Sequence, residues 1–556
     1  METPLSERNN KIVAWDASVP SAFTIPSTWN WNGALSAAGL SAAEIAQVQE
    51  PQWAKDGKFP NGEIAVAGTS QFPGHTLSPY HWHHFAPRLG AAYRLNDKTT
   101  LRASADVMYI SATGSYYGGW TPVVPSMSGT APSDATIAGT GTPAYTWQHM
   151  FNSGDLTNYQ HTVQEANYQV GGNLGGPVFS TTTDMPREYE WNFTVQRQLT
   201  SNMVAEVAYA GNHSGTLLAQ DDLNPFPGQY LNPALATLLS TQIQNPAAGQ
   251  LMSNSIAYTS ATVPLGALLN SNPSRGNLIV NGLNEGSSMY NALNVRLERR
   301  MSKGIAFLVN YTYSKWLDDV GAPNMGFTGL ALFQKSWQPT DTFRKTYGYD
   351  PNDRTNRVSF YSDVQLPLGK GRTLLGDPQT AAGKALDYVI GGWELAGFGL
   401  LESGTPITFG STGGVSSQNE GAPGLTGFVF GTPQQVSNSS LGSASLLRSP
   451  GDSYTTCGGA FNCGQFGLPQ LLTYGTMGFV YPGIRNPGYF NYDASLMKRF
   501  NLKESSYLQL RVEAQNVFNI RGLGPYDTTF GDAHFGYITS AGNTPRIMQV
   551  SGRIVF

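Results

Sequence analysis

Charged residues, cysteines and long apolar runs are all scarce in this chain of 556 residues. Charged side chains make up 13% of the sequence, about half of the ~25% that is typical of soluble domains. The sequence contains no run of about 18 apolar residues, which excludes a transmembrane helix. The net charge of −4 gives no support to nucleic-acid binding. These absences argue against an ordinary soluble domain and against a helical membrane protein.

Aromatic residues, in contrast, are abundant. The chain has 27 Tyr, 26 Phe and 11 Trp, together 12% of its residues, and its mean hydropathy is only −0.25. A transmembrane β-strand turns one side chain to lipid and the next to the lumen, so the average hydropathy of a barrel stays near neutral. The composition therefore favours a membrane protein that crosses the bilayer with strands.

Residues 545–556 have the alternation of one β-strand that ends in an aromatic residue. The two faces are Val550, Gly552, Ile554 and Phe556 against Gln549, Ser551 and Arg553. Bacterial outer-membrane barrels usually end in this way, because the last strand and its terminal aromatic lie at the membrane interface. We identify Phe556, Ile554 and Val550 as a candidate membrane-insertion signal. The alternative is the last strand of a soluble β-sandwich.

Ten further alternating runs come in five pairs, and short polar turns join four of them. The pairs are 85–95 with 99–109, 188–199 with 203–211, 290–300 with 305–315, 357–366 with 392–403, and 492–500 with 507–518. The connections between pairs are long and rich in Gly, Pro, Ser, Thr and Asn. Alternating short and long connections are typical of a transmembrane barrel. We predict an all-β, antiparallel transmembrane barrel of about eleven strands with long outer loops.

No motif in the sequence indicates an active site or a resident cofactor. His81, His83 and His84 form a weak metal candidate, for which an interfacial loop is the favoured alternative. Residues 350–354 contain two carboxylates but lack the spacing of a calcium loop, so a turn before a strand is favoured. Cys457 and Cys463 are close enough for a small disulfide loop, with two free thiols as the alternative. We expect a protein that is not an enzyme.

Polar and charged side chains occupy the faces of the predicted strands that would turn to the lumen. The charged members are Arg102, Glu206, Arg296, Glu298, Arg511, Glu513 and Arg553. Unpaired charges are costly where water is absent, so we expect acid–base pairs between neighbouring strands.

Several sequence runs resemble TonB-dependent outer-membrane receptors. LRVEAQNVFN at 510–519 and the final aromatic strand are similar to the wider family, and FAPR at 85–88 and GGW…SGTP at 391–406 are similar to its Oar-like branch. The resemblance covers essentially the whole chain. It implies import of a solute that binds at outer loops, with energy passed through TonB. The rival interpretation is an adhesin or structural barrel that does not transport.

The same resemblance implies a barrel of 22 strands around an N-terminal plug, and no signal peptide, plug or TonB-binding segment is recognisable in this sequence. We therefore expect the C-terminal part of such a barrel in the outer membrane, with residues 1–83 as an outer loop and remnant of the upstream barrel and 84–556 as the barrel half. The implied partners are outer-membrane lipid, the barrel-assembly machinery, an unknown ligand at the outer loops, and TonB only through a missing segment.

An odd number of strands would leave the first and last strands running in the same direction, which an antiparallel ladder cannot join. We expect an open curved sheet with edges at 85–95 and 547–556, or a strained closure that recruits part of 1–83.

Overall fold

A computed structural model describes residues 13–66, 84–109, 178–179, 184–248, 261–273, 279–319, 333–334, 347–411, 434–435, 466–467, 480–502, 506–530 and 534–556, except 17, 19, 22, 223, 225, 373, 375, 376, 409 and 535.

One large antiparallel sheet dominates the structure. Its eleven long strands are β1 Arg88–Asn96, β2 Thr99–Tyr109, β3 Arg187–Thr200, β4 Met203–Asp222, β5 Ile279–Ser302, β6 Ile305–Asp318, β7 Asn356–Gln365, β8 Trp393–Glu402, β9 Tyr489–Asn501, β10 Tyr507–Gln515 and β11 Ile547–Val555. They follow each other in the sheet in chain order, and each pairs antiparallel with its neighbours. This confirms the predicted fold class.

The period of two in the sequence fixes the two faces of this sheet. Val309 of β6 lies opposite Leu297 of β5 and Phe360 of β7. On the other face, Gln509 of β10 lies opposite Arg499 and Arg553. A register slip of one residue would mix the faces. In the observed register, apolar residues lie opposite apolar residues of the next strand, and polar residues lie opposite polar ones.

The sheet ends at β1 and β11. Among the described strands, β1 pairs only with β2, and β11 pairs only with β10. The side chains of Leu89 and Val550 on these edges are 73% and 75% exposed. Both strands run toward the side of the short turns, because nine strands of alternating direction separate them. The predicted edges are therefore confirmed.

Several short strands lie outside the eleven-strand path. They are Val13–Asp16, Glu63–Val66, Val178–Phe179, Gln242–Gln244, Thr262–Pro264, Phe333–Gln334, Gly348–Tyr349, Pro406–Thr408, Gly410–Ser411, Gln434–Gln435, Phe466–Gly467, Val480–Arg485 and Thr529–Phe530.

The alternative in which part of 1–83 closes the barrel is wrong for the two strands that the structure describes there. Val13–Asp16 pairs with Glu63–Val66, and Val178–Phe179 links it to the start of β5. Val13–Asp16 and Glu63–Val66 therefore lie near the long-loop end of β5, a central strand. Neither of them lies at an edge of the sheet.

Helices are short and few in the described part of the chain. They are α1 Trp31–Ala37, α2 Ala42–Ile45, α3 Gln52–Asp56, α4 Ala236–Leu239, α5 Leu265–Leu269 and α6 Ala381–Ile390, with 3₁₀ turns at Gly228–Tyr230 and Pro233–Leu235. Of the described helices, not one has the length and apolarity needed to cross a membrane.

Most of the fully buried apolar side chains do not belong to the sheet. They lie in a compact unit, here called the cap, formed by residues 23–62 together with 226–248 and 261–273 of the connection between β4 and β5. The cap therefore has a core of its own on the long-loop side.

Candidate functional site

Local capping interactions define the helical turns of the cap. The Asn30 side chain accepts a hydrogen bond from the Gly33 N–H at 2.7 Å and starts α1. Ser41 and Glu44 form a reciprocal capping box that starts α2. Such contacts satisfy N–H groups that a helix leaves free at its start. They let helices of only one or two turns form where a packed core supports them.

Tryptophan side chains hold the two parts of the cap together. Trp29 donates from Nε1 to the Gln244 carbonyl at 3.2 Å, and Trp53 donates from Nε1 to the Leu268 carbonyl at 3.1 Å. Each contact joins residues that are 215 positions apart. The N–H of each indole is thus paired, while the ring of Trp53 is buried and that of Trp29 is half-buried.

The rings of the cap stack into a continuous wall. Trp53 stacks on Trp29 and on Phe59, with centroid separations of 5.5 Å in both cases. Trp31 meets Trp53 edge to face at 6.1 Å. Pairs of this geometry contribute about 0.5–1.5 kcal/mol beyond their buried area. The wall therefore stabilises the cap.

A cleft of about 660 Å³ opens beside this wall. Trp53, Phe59 and Leu269 form its apolar side, and Asp56 and Lys58 form part of its polar rim. One acid and one base leave the rim without net charge.

Asn270 also lines the cleft and is only 4% exposed. Its Oδ1 has no hydrogen-bond partner within the described residues. This oxygen is itself buried, so it is an uncompensated polar atom in the wall of the cleft, which is costly. The cleft thus has the size of a small-molecule site, with one apolar side and a rim of mixed charge.

A buried ion pair fixes the base of the long loops. Arg485 donates from Nη2 to Asp353 Oδ2 at 2.7 Å, and its Nη1 donates to the carbonyls of Asp353 and Gly404. Asp353 Oδ1 also accepts the Trp316 N–H at 2.8 Å. Two long connections and the end of β6 therefore meet at this ion pair.

A second carboxylate acts in the same way beside it. Glu402, at the end of β8, forms ion pairs with Arg354 at 2.8 Å and Arg357 at 3.3 Å. These contacts position the long loops where they leave the ends of the strands. Among the described features, the cap cleft is the one suited to binding.

The sequence candidates for metal and disulfide sites have different outcomes. His84 Nε2 lies 2.8 Å from Asp184 Oδ1, and its ring stacks on Tyr109. His81, His83, Cys457 and Cys463 lie outside the described residues. Among the described residues, no group of three His, Cys, Asp or Glu side chains is arranged to hold a metal ion.

The predicted turn before β7 is confirmed. Asp350 Oδ1 accepts the Asn352 N–H at 2.6 Å, and the Asp350 carbonyl accepts the Asp353 N–H at 2.9 Å. Aspartate often closes turns in this manner, because its short side chain reaches the backbone two residues on. The acid-rich segment therefore serves the geometry of the loop.

Comparison with protein families decides the class of the chain. The family model described as "Outer membrane beta barrel domain" matches residues 1–549. The chain belongs to this family. It is accordingly an outer-membrane protein with a β-barrel fold. No curated protein sequence matches it.

Solved structures similar to this outer-membrane barrel include three receptors or transporters. They are the ferripyoverdine receptor of Pseudomonas aeruginosa (9% identity, TM-score 0.32, 89% of this chain and 35% of that one), the outer membrane transporter YddB of Escherichia coli (8%, 0.36, 84% and 40%), and the ferric-catecholate import receptor Fiu of E. coli K12 (8%, 0.32, 89% and 36%). The chain spans 35–40% of their lengths. At these TM-scores the likeness carries no argument.

Membership in this family assigns the two faces of the sheet. The apolar face, which includes Val309 and Leu510, turns to lipid, and the polar face turns to the lumen. Two charged pairs of the lumen face run along single strands: Arg296 contacts Glu298 at 2.7 Å, and Arg511 contacts Glu513 at 3.2 Å. A third pair joins neighbouring strands on the same face, since Arg357 of β7 contacts Glu402 of β8 at 3.3 Å.

The expected pairing between strands therefore occurs at Arg357 and Glu402, whereas Arg296 and Arg511 pair within their own strands. Residues two apart share a face of one strand, and the long Arg side chain spans that interval as easily as the gap to a neighbour. Glu206 lies opposite Arg296 in the register, yet the ion pair of Arg296 is with Glu298.

The three residues of the candidate insertion signal share the lipid-facing side at the β11 edge. Val550 pairs with Val512 and Ile554 with Leu508, and Phe556 follows at 93% exposure. Their role in insertion stays a prediction.

Sequence reasoning missed the cap. Its helices have four to seven residues, which is too short for a helical period to be visible. Two local signals were present: the Ser41–Glu44 spacing of a capping box, and three Trp between 29 and 53.

Proposed function

We propose that the chain forms the C-terminal part of the barrel of an Oar-like TonB-dependent receptor, which captures a solute on its outer face and imports it. The observation that carries the proposal is the common direction of the two edge strands. To close the sheet into an antiparallel barrel, an odd number of additional strands must lie between β11 and β1, so that each edge strand gains an antiparallel neighbour. Eleven plus an odd number is even, as single-chain bacterial barrels are.

A second copy of the chain in the same membrane orientation would not supply those strands. Its own edges also run toward the short turns, so it would pair in parallel with β1 or β11. Unpaired N–H and C=O groups cost several kcal/mol each in hydrocarbon. A larger barrel therefore accounts for the edges better than self-association does.

The cap supports a binding role on the outer face. It is a packed unit on the long-loop side, and it has a cleft of about 660 Å³ beside Trp53 and Phe59. Short turns lie on the periplasmic side of such barrels and long loops outside. The function we infer is binding and transport without catalysis.

Site-directed labelling in intact cells tests the orientation. Two variants are made in a chain with Cys457 and Cys463 changed to Ser. Lys55→Cys places a thiol on the cap, and Asp97→Cys places one in the turn between β1 and β2. We expect a membrane-impermeant maleimide to label position 55 in intact cells, and position 97 only after the outer membrane is permeabilised. Labelling of position 97 alone in intact cells would overturn the proposed orientation.

Uptake separates the receptor from the adhesin. Cells that express the chain with its upstream partner strands are given a defined solute mixture, and depletion is followed by mass spectrometry with and without TonB. The receptor proposal predicts depletion of a solute only when both are present. Surface exposure of the cap together with cell attachment that is independent of TonB would favour the adhesin.

A further inference from the structure

We propose that α6 is an interfacial membrane anchor, which lies in the headgroup region of the lipid leaflet on the short-turn side. The helix belongs to the connector between β7 and β8. Between the described strands, this is the longest connection on the short-turn side. The inference concerns lipid contact only and does not depend on transport.

The first observation is that the apolar face of α6 points away from the protein. Leu386, Tyr388 and Val389 are 47%, 58% and 62% exposed. At 100° per residue, the apolar positions of the helix form one continuous side, made of Ala381, Ala382, Ala385, Leu386, Tyr388 and Val389. In a globular protein such a face would turn inward.

The polar side of α6 faces the protein instead. Asp387 is half-buried, and its Oδ1 accepts the Lys370 N–H at 2.7 Å. The N-cap Thr380 accepts the Gly383 N–H at 3.1 Å. The helix is thus oriented by polar contacts with its own connector, which leaves its apolar side for another environment.

The second observation places the C-terminal end of α6 on the lipid-facing surface. Lys498 of β9 pairs with Trp393 and Leu510 in the register of the apolar face. Its Nζ donates to the carbonyls of Tyr388 and Val389 at 2.5 and 3.2 Å. A cation at the last carbonyls of a helix is favourable.

Aromatic side chains of the same face complete this contact. Trp393 donates from Nε1 to the Val389 carbonyl at 3.0 Å, and the ring of Tyr388 lies 5.3 Å from that of Phe500. Lys498 Nζ lies 4.8 Å from the Phe500 centroid. The exposed apolar side of α6 is therefore continuous with the surface that contacts lipid.

A lipid surface is the occupant that fits these observations. Amphipathic helices bind membranes with an apolar face in the headgroup boundary, and Trp, Tyr and Lys are enriched at that depth. Lys384 is exposed on the flank of the apolar side, where it would meet lipid phosphates.

The test is a depth measurement on the full chain in phosphatidylcholine vesicles. Val389→Cys and the matched control Lys384→Cys, each with Cys457 and Cys463 changed to Ser, carry an environment-sensitive fluorophore. We expect brominated phosphatidylcholine to quench the label at 389 at least threefold more than the label at 384, and aqueous iodide to show the reverse order.

Equal quenching at both positions by either agent would overturn the anchor. If the label at 389 prevents assembly, Leu386→Cys lies on the same apolar side and gives the same readout. A result in which 386 is as accessible to iodide as 384 would equally exclude lipid contact.

Discussion

Arg485 Nη2 donates to Oδ2 of Asp353 at 2.7 Å, although 132 residues separate the two in the chain. The Asp353 side chain is fully buried and that of Arg485 is 24% exposed. Loss of one partner leaves a buried charge unpaired, which costs more than the net contribution of the pair itself. The relationship therefore locks the loop bases of β6, β7 and β9.

Arg485→Met should lower the free energy of unfolding by about 3 kcal/mol, because the Asp353 carboxylate keeps only its weaker partners. Urea denaturation in detergent micelles measures this. Arg94→Met removes an ion pair of exposed partners, Arg94 with Asp97, and should cost less than about 1 kcal/mol. Similar losses in both variants would contradict a special role of the buried pair.

The two faces of β6 should respond differently to a charge. Val309→Arg places a cation in lipid and should destabilise the folded barrel by about 2–4 kcal/mol if the site lies near the midplane. Asn310→Arg, on the lumen face, should cost much less. Folding yields in vesicles compare the two, and equal yields would show that the faces are wrongly assigned.

Asn516 ends β10 in a left-handed conformation, with φ of 48°. Its side chain accepts the Ile520 N–H and donates to the carbonyls of Ile520 and Thr544. Asn516→Ala should cost about 2 kcal/mol, since it loses these bonds and strains the backbone. Asn516→Gly loses the bonds without the strain, so it should be the milder change in the same unfolding assay.

Burial raises the pKa of the Asp319 carboxyl, although the Ser287 N–H, which donates to its Oδ1 at 2.6 Å, lowers it in part. A carboxyl whose pKa is raised by folding binds its proton more tightly in the folded state. Stability should therefore fall as pH rises above the unfolded pKa of about 3.9. Asp319→Asn should remove this fall, as urea midpoints across pH would show. An identical pH profile in the variant would contradict the assignment.

Deletion of Phe556 should lower outer-membrane levels several-fold, because the apolar face of β11 ends in this exposed aromatic, as in strands that barrel assembly uses. Leu502→Ala is the matched control, since Leu502 is also apolar and exposed, on the short-turn side. Quantitative blotting of membrane fractions measures both. Unchanged levels without Phe556 would show that its position is incidental.

The alternation of residues in the sequence was sufficient to predict the sheet. Each of the short turns at 97–98, 201–202 and 303–304 joins two consecutive strands and brings them side by side. Hairpin pairing of these strands therefore follows from local chemistry. The order of the strands then follows the chain. The predicted strand boundaries were less accurate. β4 and β5 extend beyond the predicted runs, because their outer ends pair with each other through register shifts that interrupt the alternation.

Tertiary packing decided the cap, the loop-base ion pairs and the direction of α6. Trp53 meets Leu268, and Arg485 meets Asp353, across more than 100 residues, and no local pattern encodes such contacts. The sequence of α6 is amphipathic by itself, yet its contacts with Lys498 and Trp393 of the folded sheet and with its own connector determine which side is turned outward. Alternation therefore fixed the faces of the strands, because side chains of a strand alternate by geometry alone, whereas contacts between distant segments depended on the completed fold.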